Sequence, residues 1–124
     1  EPFSGILPML KTLQQKGIKT AIVSNKNIEA VKALNDHFFS DYIRIAIGEK
    51  DGIRRKPYPD TLFEAMRLLD AGKTLYVGDS VVDKQTADNA DVDCVLVRWG
   101  YGIDIDSLHP AAIIDKPDEL LDML

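Results

Sequence analysis

Two carboxylates four residues apart carry the clearest chemical signal in this chain. In the stretch Thr74 to Ala90, TLYVGDSVVDKQTADNA, the apolar run Leu75, Tyr76, Val77 stops at Gly78, where the backbone can turn tightly. Asp79 is therefore expected at the tip of a buried strand. Asp83 follows early in a helical pattern, and the spacing brings both acids to one side of a helix start. Ionised together at one small mouth they repel, and a cation or a shared proton must relieve the repulsion. A hard, oxygen-seeking ion such as Mg2+ suits them best. The plainer alternative makes Asp79 a helix cap and Asp83 a complement to the helix dipole. Ser80 would suffice as the cap, which leaves the second acid idle.

Two further stretches could serve the same chemistry. Thr20 to Val23 is a β-rich apolar run ending in Ser24-Asn25, so a second strand tip offers a hydroxyl and an amide. Taken locally, either residue could simply cap the helix that follows. Between Glu49 and Asp60, EKDGIRRKPYPD places three cations in a row. Arg54 and Arg55 read as a solvated face, whereas Lys56 is stiffened by Pro57 and Pro59, as suits a cation that must be aimed. Two decoys fail on spacing. Gly72-Lys73-Thr74 ends like a phosphate-binding P-loop but has Arg67 where the first glycine belongs, and Gly78-Asp79-Ser80 has Val82 where a nucleophile elbow closes on glycine. His37 and His109 lack a second ligand at metal-binding spacing.

The elements that must position these groups follow from periodicity. Ser4 as a cap, Pro8 in the first turn and Ile6, Leu10 and Leu13 at helical spacing predict an amphipathic helix stopped by Gly17. Ile28, Val31, Leu34 and Phe38 predict a second helix. Ile43, Ile45 and Ile47 predict a strand broken at Gly48. Asp60 is expected to cap a third helix with Leu62, Met66 and Leu69 on one face and Ala71-Gly72 at its end. Val92 to Val97 and Ala111 to Ile114 read as strands, Trp99 to Gly102 as a turn, and Pro117 to Leu124 as a terminal helix. Alternating helices and short apolar strands imply an α/β fold, a three-layer, largely parallel Rossmann-like sheet flanked by helices. In such sheets ligands bind beyond the carboxyl ends of the strands, where Ser24, Lys56 and Asp79 would converge.

Size and composition set the outer limits. With 124 residues the chain is one domain, able to bury roughly two thirds of its extended-chain surface. No apolar run approaches the ~18 residues a membrane span needs. A net charge of -5 and a pI near 4.9 argue against nucleic acid or an anionic membrane as partner, but not against a small anion held by a local cation. The lone Cys94, in an apolar strand pattern, reads as a small buried hydrophobe, and the expected compartment is the cytoplasm. No targeting sequence is visible, and because the chain opens at Glu1 rather than methionine, a missing N-terminal part is expected.

In order and spacing, Ser24-Asn25, Lys56-Pro57, Gly78-Asp79-Ser80 and Asp83 resemble the haloacid dehalogenase-like (HAD) superfamily of phosphatases. The segments VSNK, KPYPD, YVGDSVVDKQTADNA and WGYG resemble its phosphoglycolate-phosphatase-like branch, over nearly the whole chain. The resemblance reverses the local reading of Ser24, which would match the family's phosphate-binding hydroxyl, with Asn25 beside it. Lys56 would match the lysine that neutralises the phosphoryl group and the nucleophile. Asp79 would match the Mg2+ ligand and Asp83 its acidic companion. A small phosphorylated metabolite is the implied substrate.

One departure from the family is large. Its members use an aspartate nucleophile and a second aspartate two residues on, at the tip of a first strand, and no aspartate precedes Ser24 here. The sequence Asp104-Ile105-Asp106-Ser107 has the right letters but follows a Gly-rich turn. Asp91, where the branch usually has glycine, touches only a helix end. The chain is therefore expected to be a core domain without the nucleophile strand and the helical cap, inactive by itself. Self-association or a complementing N-terminal segment would fill the place between the strands ending at Ser24 and Asp79. Otherwise those strands would pair directly after a shift, or the isolated chain would be poorly stable, since buried strand edges are not left empty. The alternative is a non-catalytic remnant binding phosphate or a protein partner. A phosphate-receiving signalling domain would need a central aspartate ahead of its hydroxyl and lysine, an order absent here.

Overall fold

The computed structural model describes residues 4–49, 52–99 and 106–124. Its elements are α1 (Ile6–Gln15), β1 (Ala21–Asn27), α2 (Ile28–Phe38), β2 (Ile45–Glu49), α3 (Asp60–Leu69), β3 (Leu75–Gly78), α4 (Val81–Asn89), β4 (Asp93–Val97) and β5 (Ala112–Ile114). Short 3-10 segments cover Asp106–Leu108 and Pro117–Met123, the second in place of the expected terminal helix. The turn expected around Gly100 to Gly102, and Asp104, lie outside the described residues.

Local chemistry accounts for most boundaries. Leu10 and Leu13 bury one face of α1, and Gly17, at φ 75°, ends it while the Ile18 N–H donates to the Leu13 carbonyl at 3.0 Å. The helix starts from Gly5 in the left-handed region rather than from a Ser4 cap. Asp70, also left-handed, closes α3 ahead of the expected Ala71-Gly72. Pro59, not Asp60, is the residue that precedes α3. In α2 the buried pair is Val31 and Asn35, while Leu34 stays largely exposed. The amide of Asn35 earns its place by donating to the Ile43 carbonyl at 2.9 Å, which ties α2 to the chain entering β2. Gly48 does not break β2 but lies within it. A Cβ there would stand 2.7 Å from the Lys26 carbonyl oxygen and 2.8 Å from the Ile28 Cα, so its close approach to β1 excludes any side chain.

The ladders between these strands are parallel. Ala21 lies opposite Ile45 and Val23 opposite Ile47, Leu75 opposite Asp93, and Val95 opposite Ala112. The sheet, however, is in two parts, β1-β2 and β3-β4-β5. Direct pairing of β1 with β3 is thus not the arrangement adopted. Side chains join the parts instead. Leu62 of α3 packs with Tyr76 of β3, with Val23 of β1 against the same cluster. On α1, Leu10 and Leu13 pack with Ile22 of β1, and Met9 reaches the cluster of Val95 and Val97. The central strand β4 has the deepest burial, with Val95 and Leu96 fully enclosed, each such side chain contributing about 1.5–3 kcal/mol. Both β1 and β3 have a ladder partner on one side among the described residues.

Candidate functional site

At the end of β1 the ladder is irregular between Val23 and Asn27. The helix cap falls to Asn27, whose Oδ1 accepts from the Glu29 N–H at 2.8 Å. Neither Ser24 nor Asn25 is used for that purpose. Ser24 Oγ accepts from the Lys26 N–H at 3.1 Å, which fixes the hydroxyl at the bend. Asn25 turns its amide across to the loop: Oδ1 accepts from the Lys56 N–H at 2.7 Å and Nδ2 donates to the Lys56 carbonyl at 3.3 Å.

The loop that carries Lys56 is tied down on both sides. Arg54 forks onto Asp60 through Nε at 3.0 Å and Nη2 at 2.9 Å, adds its backbone N–H at 3.1 Å, and lies 4.2 Å over the Tyr58 ring. Its side chain is mostly exposed, so the pair adds little energy. It does more than the solvated face expected of it, because it pins the loop to α3. Asn89 Nδ2 donates to the Pro57 carbonyl at 2.8 Å, pinning the other side to α4. Between these pins the Lys56 ammonium meets Asp83 Oδ1 at 2.7 Å and the Tyr76 hydroxyl at 3.2 Å.

Asp83 is the hub. Its Oδ1 also accepts from the Tyr76 hydroxyl at 2.8 Å, and its Oδ2 accepts from the Asp79 N–H at 2.9 Å and the Ser80 hydroxyl at 3.1 Å. Ser80 Oγ in return accepts from the Asp83 N–H at 3.4 Å, a reciprocal cap at the start of α4. Gly78 makes room for all this: a Cβ there would lie 2.4 Å from both Cβ and Cγ of Asp83. Burial pushes the Asp83 carboxyl up, but hydrogen bonds from Lys56 and the Asp79 N–H, the Lys56 charge and the Tyr76 hydroxyl outweigh it and hold it below the usual range. Burial, followed by the Asp83 charge, pushes the Tyr76 phenol well above its ordinary value, so it acts as a neutral donor.

A pH dependence follows from the depressed Asp83 value. As pH falls below about 4, the unfolded chain takes up this proton before the folded one. The stability contributed by Asp83 is present above that pH and is lost as pH drops through the lowered folded value. Acid unfolding of the wild type should therefore start from a higher neutral plateau and fall more steeply than that of Asp83→Asn. Parallel curves from pH 6 to 2 would contradict it.

The chemistry of these donors can be tested against a cation. Four donors already fill the carboxylate of Asp83, and Lys56 matches its charge, so the repulsion expected between Asp79 and Asp83 is relieved by an ammonium. Asp79, half-buried at the tip of β3, fits a hard cation in kind. No cluster of three or more His, Cys, Asp or Glu is found among the described residues. The set suits Mg2+, which keeps most of its waters, and not Zn2+. No helix among the described residues is long and apolar enough to cross a membrane.

Sequence reasoning did not foresee two participants in this site. Tyr76 read as strand packing, yet its hydroxyl bridges Lys56 and Asp83; a polar tip on a buried aromatic needs a partner, and that was the available signal. The grip of Asn25 on the Lys56 backbone had no local signal at all. Cys94 is buried as expected, its thiol pushed up to about 11 by burial.

Comparison with known proteins gives this constellation its context. The chain is 36% identical over 124 residues to the phosphoglycolate phosphatase of Pseudomonas syringae pv. tomato, covering 96% of this chain and 46% of that protein. It is 35% identical over 114 residues to a shorter phosphoglycolate-phosphatase-like protein of Pseudomonas savastanoi, covering 88% of this chain and 71% of that one. A crystal structure of a phosphoglycolate-phosphatase-like protein from Lactobacillus delbrueckii subsp. bulgaricus superposes with a TM-score of 0.93 at 40% identity, over 98% of this chain and 53% of that one. The chain thus spans about half the length of most relatives it matches. The family model of haloacid dehalogenase-like hydrolases matches residues 1–97, every group of the site included, and to that family the chain belongs.

Proposed function

We propose that this chain is the phosphate-handling core of a Mg2+-dependent phosphomonoester hydrolase acting on a small phosphorylated metabolite of the phosphoglycolate type. The observation that carries the reading is the Lys56 ammonium, held by Asp83 and Tyr76 beside the tips of β1 and β3. An ammonium has three donors, and Asp83 and Tyr76 take two. The third is left for a phosphoryl oxygen, while the Ser24 hydroxyl offers a second hydrogen bond from β1. Asp79 would hold Mg2+, with Asp83 behind it as the acidic companion that fixes the strand tip. When bound, the ion adds charge neutralisation on the phosphoryl oxygens. Phosphoryl transfer needs little covalent work from the protein beyond a nucleophile, so positioning and charge supply most of the rate. Two strand edges without a ladder partner among the described residues, bridged by α1 and α3, support a further parallel strand between β1 and β3, bearing the nucleophilic aspartate.

The test is hydrolysis of an aryl phosphate with Mg2+. No turnover is expected from the 124-residue chain alone, and turnover is expected once a strand carrying the nucleophilic aspartate is joined to it. In the joined protein Asp79→Ala should abolish the rate and Lys56→Ala should lower it by about 10²-fold or more. Mg2+ titration should show weak binding that Asp79→Asn removes. Equal Mg2+ affinity in the two, or turnover by the short chain that disappears with Asp104→Asn, would overturn the proposal.

A further inference from the structure

We infer that Asn25 is a positioning residue for Lys56: its side-chain amide holds the lysine backbone at both its N–H and its carbonyl. The inference deepens the proposed function and rests on it for the role of Lys56, but not for the contacts. Both ends of the Asn25 amide are engaged by one residue: Oδ1 accepts from the Lys56 N–H at 2.7 Å and Nδ2 donates to the Lys56 carbonyl at 3.3 Å. That is the pattern a neighbouring strand would supply, made here by a side chain across 31 residues of sequence. Lys56 lies in a turn, three residues past the bridge at Ile53, and this pair ties its backbone directly to β1.

The far end of the same residue belongs to the other half of the sheet. The ammonium of Lys56 is fixed by Asp83 and Tyr76, on α4 and β3. Lys56 therefore spans from β1 to β3, anchored by its backbone at one end and by its charge at the other. An amide that swung away to a phosphate oxygen would give up both bonds to Lys56 and free the backbone of the residue whose charge the phosphate needs. The amide is therefore held in place by Lys56 at both ends, and the one Nδ2 proton left over points where the strut sets it. Ser24, one residue earlier, shows no such bond to the loop among the described residues; its oxygen accepts from the Lys26 N–H, and a hydroxyl that accepts can also donate.

The experiment is NMR on the intact chain, with inorganic phosphate as the probe. In the wild type a through-hydrogen-bond coupling is expected between the Lys56 amide nitrogen and the Asn25 side-chain carbonyl carbon, retained at saturating phosphate. In Asn25→Ala the Lys56 amide should exchange with solvent about tenfold faster while Val23 and Ile47 in the β1-β2 ladder stay protected. Asn25→Asp keeps the acceptor and should restore the protection of the Lys56 amide, which a general loss of packing would not do. Absence of the coupling in the wild type, its loss when phosphate binds, or unchanged Lys56 exchange in Asn25→Ala would overturn the inference. If phosphate does not bind at all, the proposed function fails, while the coupling and exchange measurements still decide the role of Asn25.

Discussion

Replacing Lys56 by methionine is expected to lower the unfolding free energy by about 3–5 kcal/mol, because it strands a buried anion. Methionine keeps most of the apolar stem, so the change isolates the ammonium. The pair is well shielded, with 14% of the Lys56 side chain and 8% of the Asp83 side chain accessible, and the gain is therefore not of the small size typical of surface ion pairs. Once the ammonium is gone, the Asp83 carboxylate keeps its bonds from Tyr76, Ser80 and the Asp79 N–H, but nothing matches its charge. Its carboxyl should then titrate higher than in the wild type, since the largest opposing influence is the Lys56 hydrogen bond and the Lys56 charge adds to it. Pairing the change with Asp83→Asn removes the charge as well and should recover much of the loss. Urea unfolding of the two single variants and the double variant measures the coupling directly. A Lys56→Met protein within about 1 kcal/mol of wild type would mean the ion pair is not the one described.

Gly78→Ala is expected to be nearly as costly, about 2–5 kcal/mol, although it adds a single methyl group. The backbone at Gly78 is not in the left-handed region, so conformational strain is not the cause. Space is. The added carbon would fall 2.4 Å from Asp83 Cβ, close to the α4 backbone, where no rotamer change of Asp83 relieves the contact. Either β3 or the first turn of α4 must move, and both movements break the bonds from Asp79, Ser80, Tyr76 and Lys56 that converge on that carboxylate. The expected signature is loss of stability together with loss of Mg2+ binding, since Asp79 stands between the two displaced elements. In an Asp83→Gly background the same alanine should cost far less, because the obstructing Cβ is gone. Equal cost in both backgrounds would show that something other than this contact requires the glycine.

Much of this architecture is local and was legible without coordinates. The strand tip at Gly78-Asp79, the Ser80 cap of α4, the buried Cys94 strand and the α/β alternation follow from periodicity and capping chemistry, which act within a few residues; β1, expected to end at Ser24, runs on to Asn27 through an irregular ladder. Lys56 stood out from Arg54 and Arg55 because the flanking prolines are local too. What spacing alone could not convey was partnership. Asp79 and Asp83 read as two acids awaiting a cation, whereas the fold answers Asp83 with an ammonium 27 residues away. Asn25 read locally as a cap, whereas Asn27 takes the cap and Asn25 grips Lys56. Asn35 displaced Leu34 from the buried face of α2 because a carbonyl at the entrance to β2 needed its amide. The division of the sheet between β1 and β3 is likewise a matter of which edges meet. Amino-acid order by itself determined the elements and the chemical types at their ends, because those depend on neighbours along the chain; tertiary structure alone decided which charges and amides pair, because that depends on distances set by packing between segments far apart in sequence.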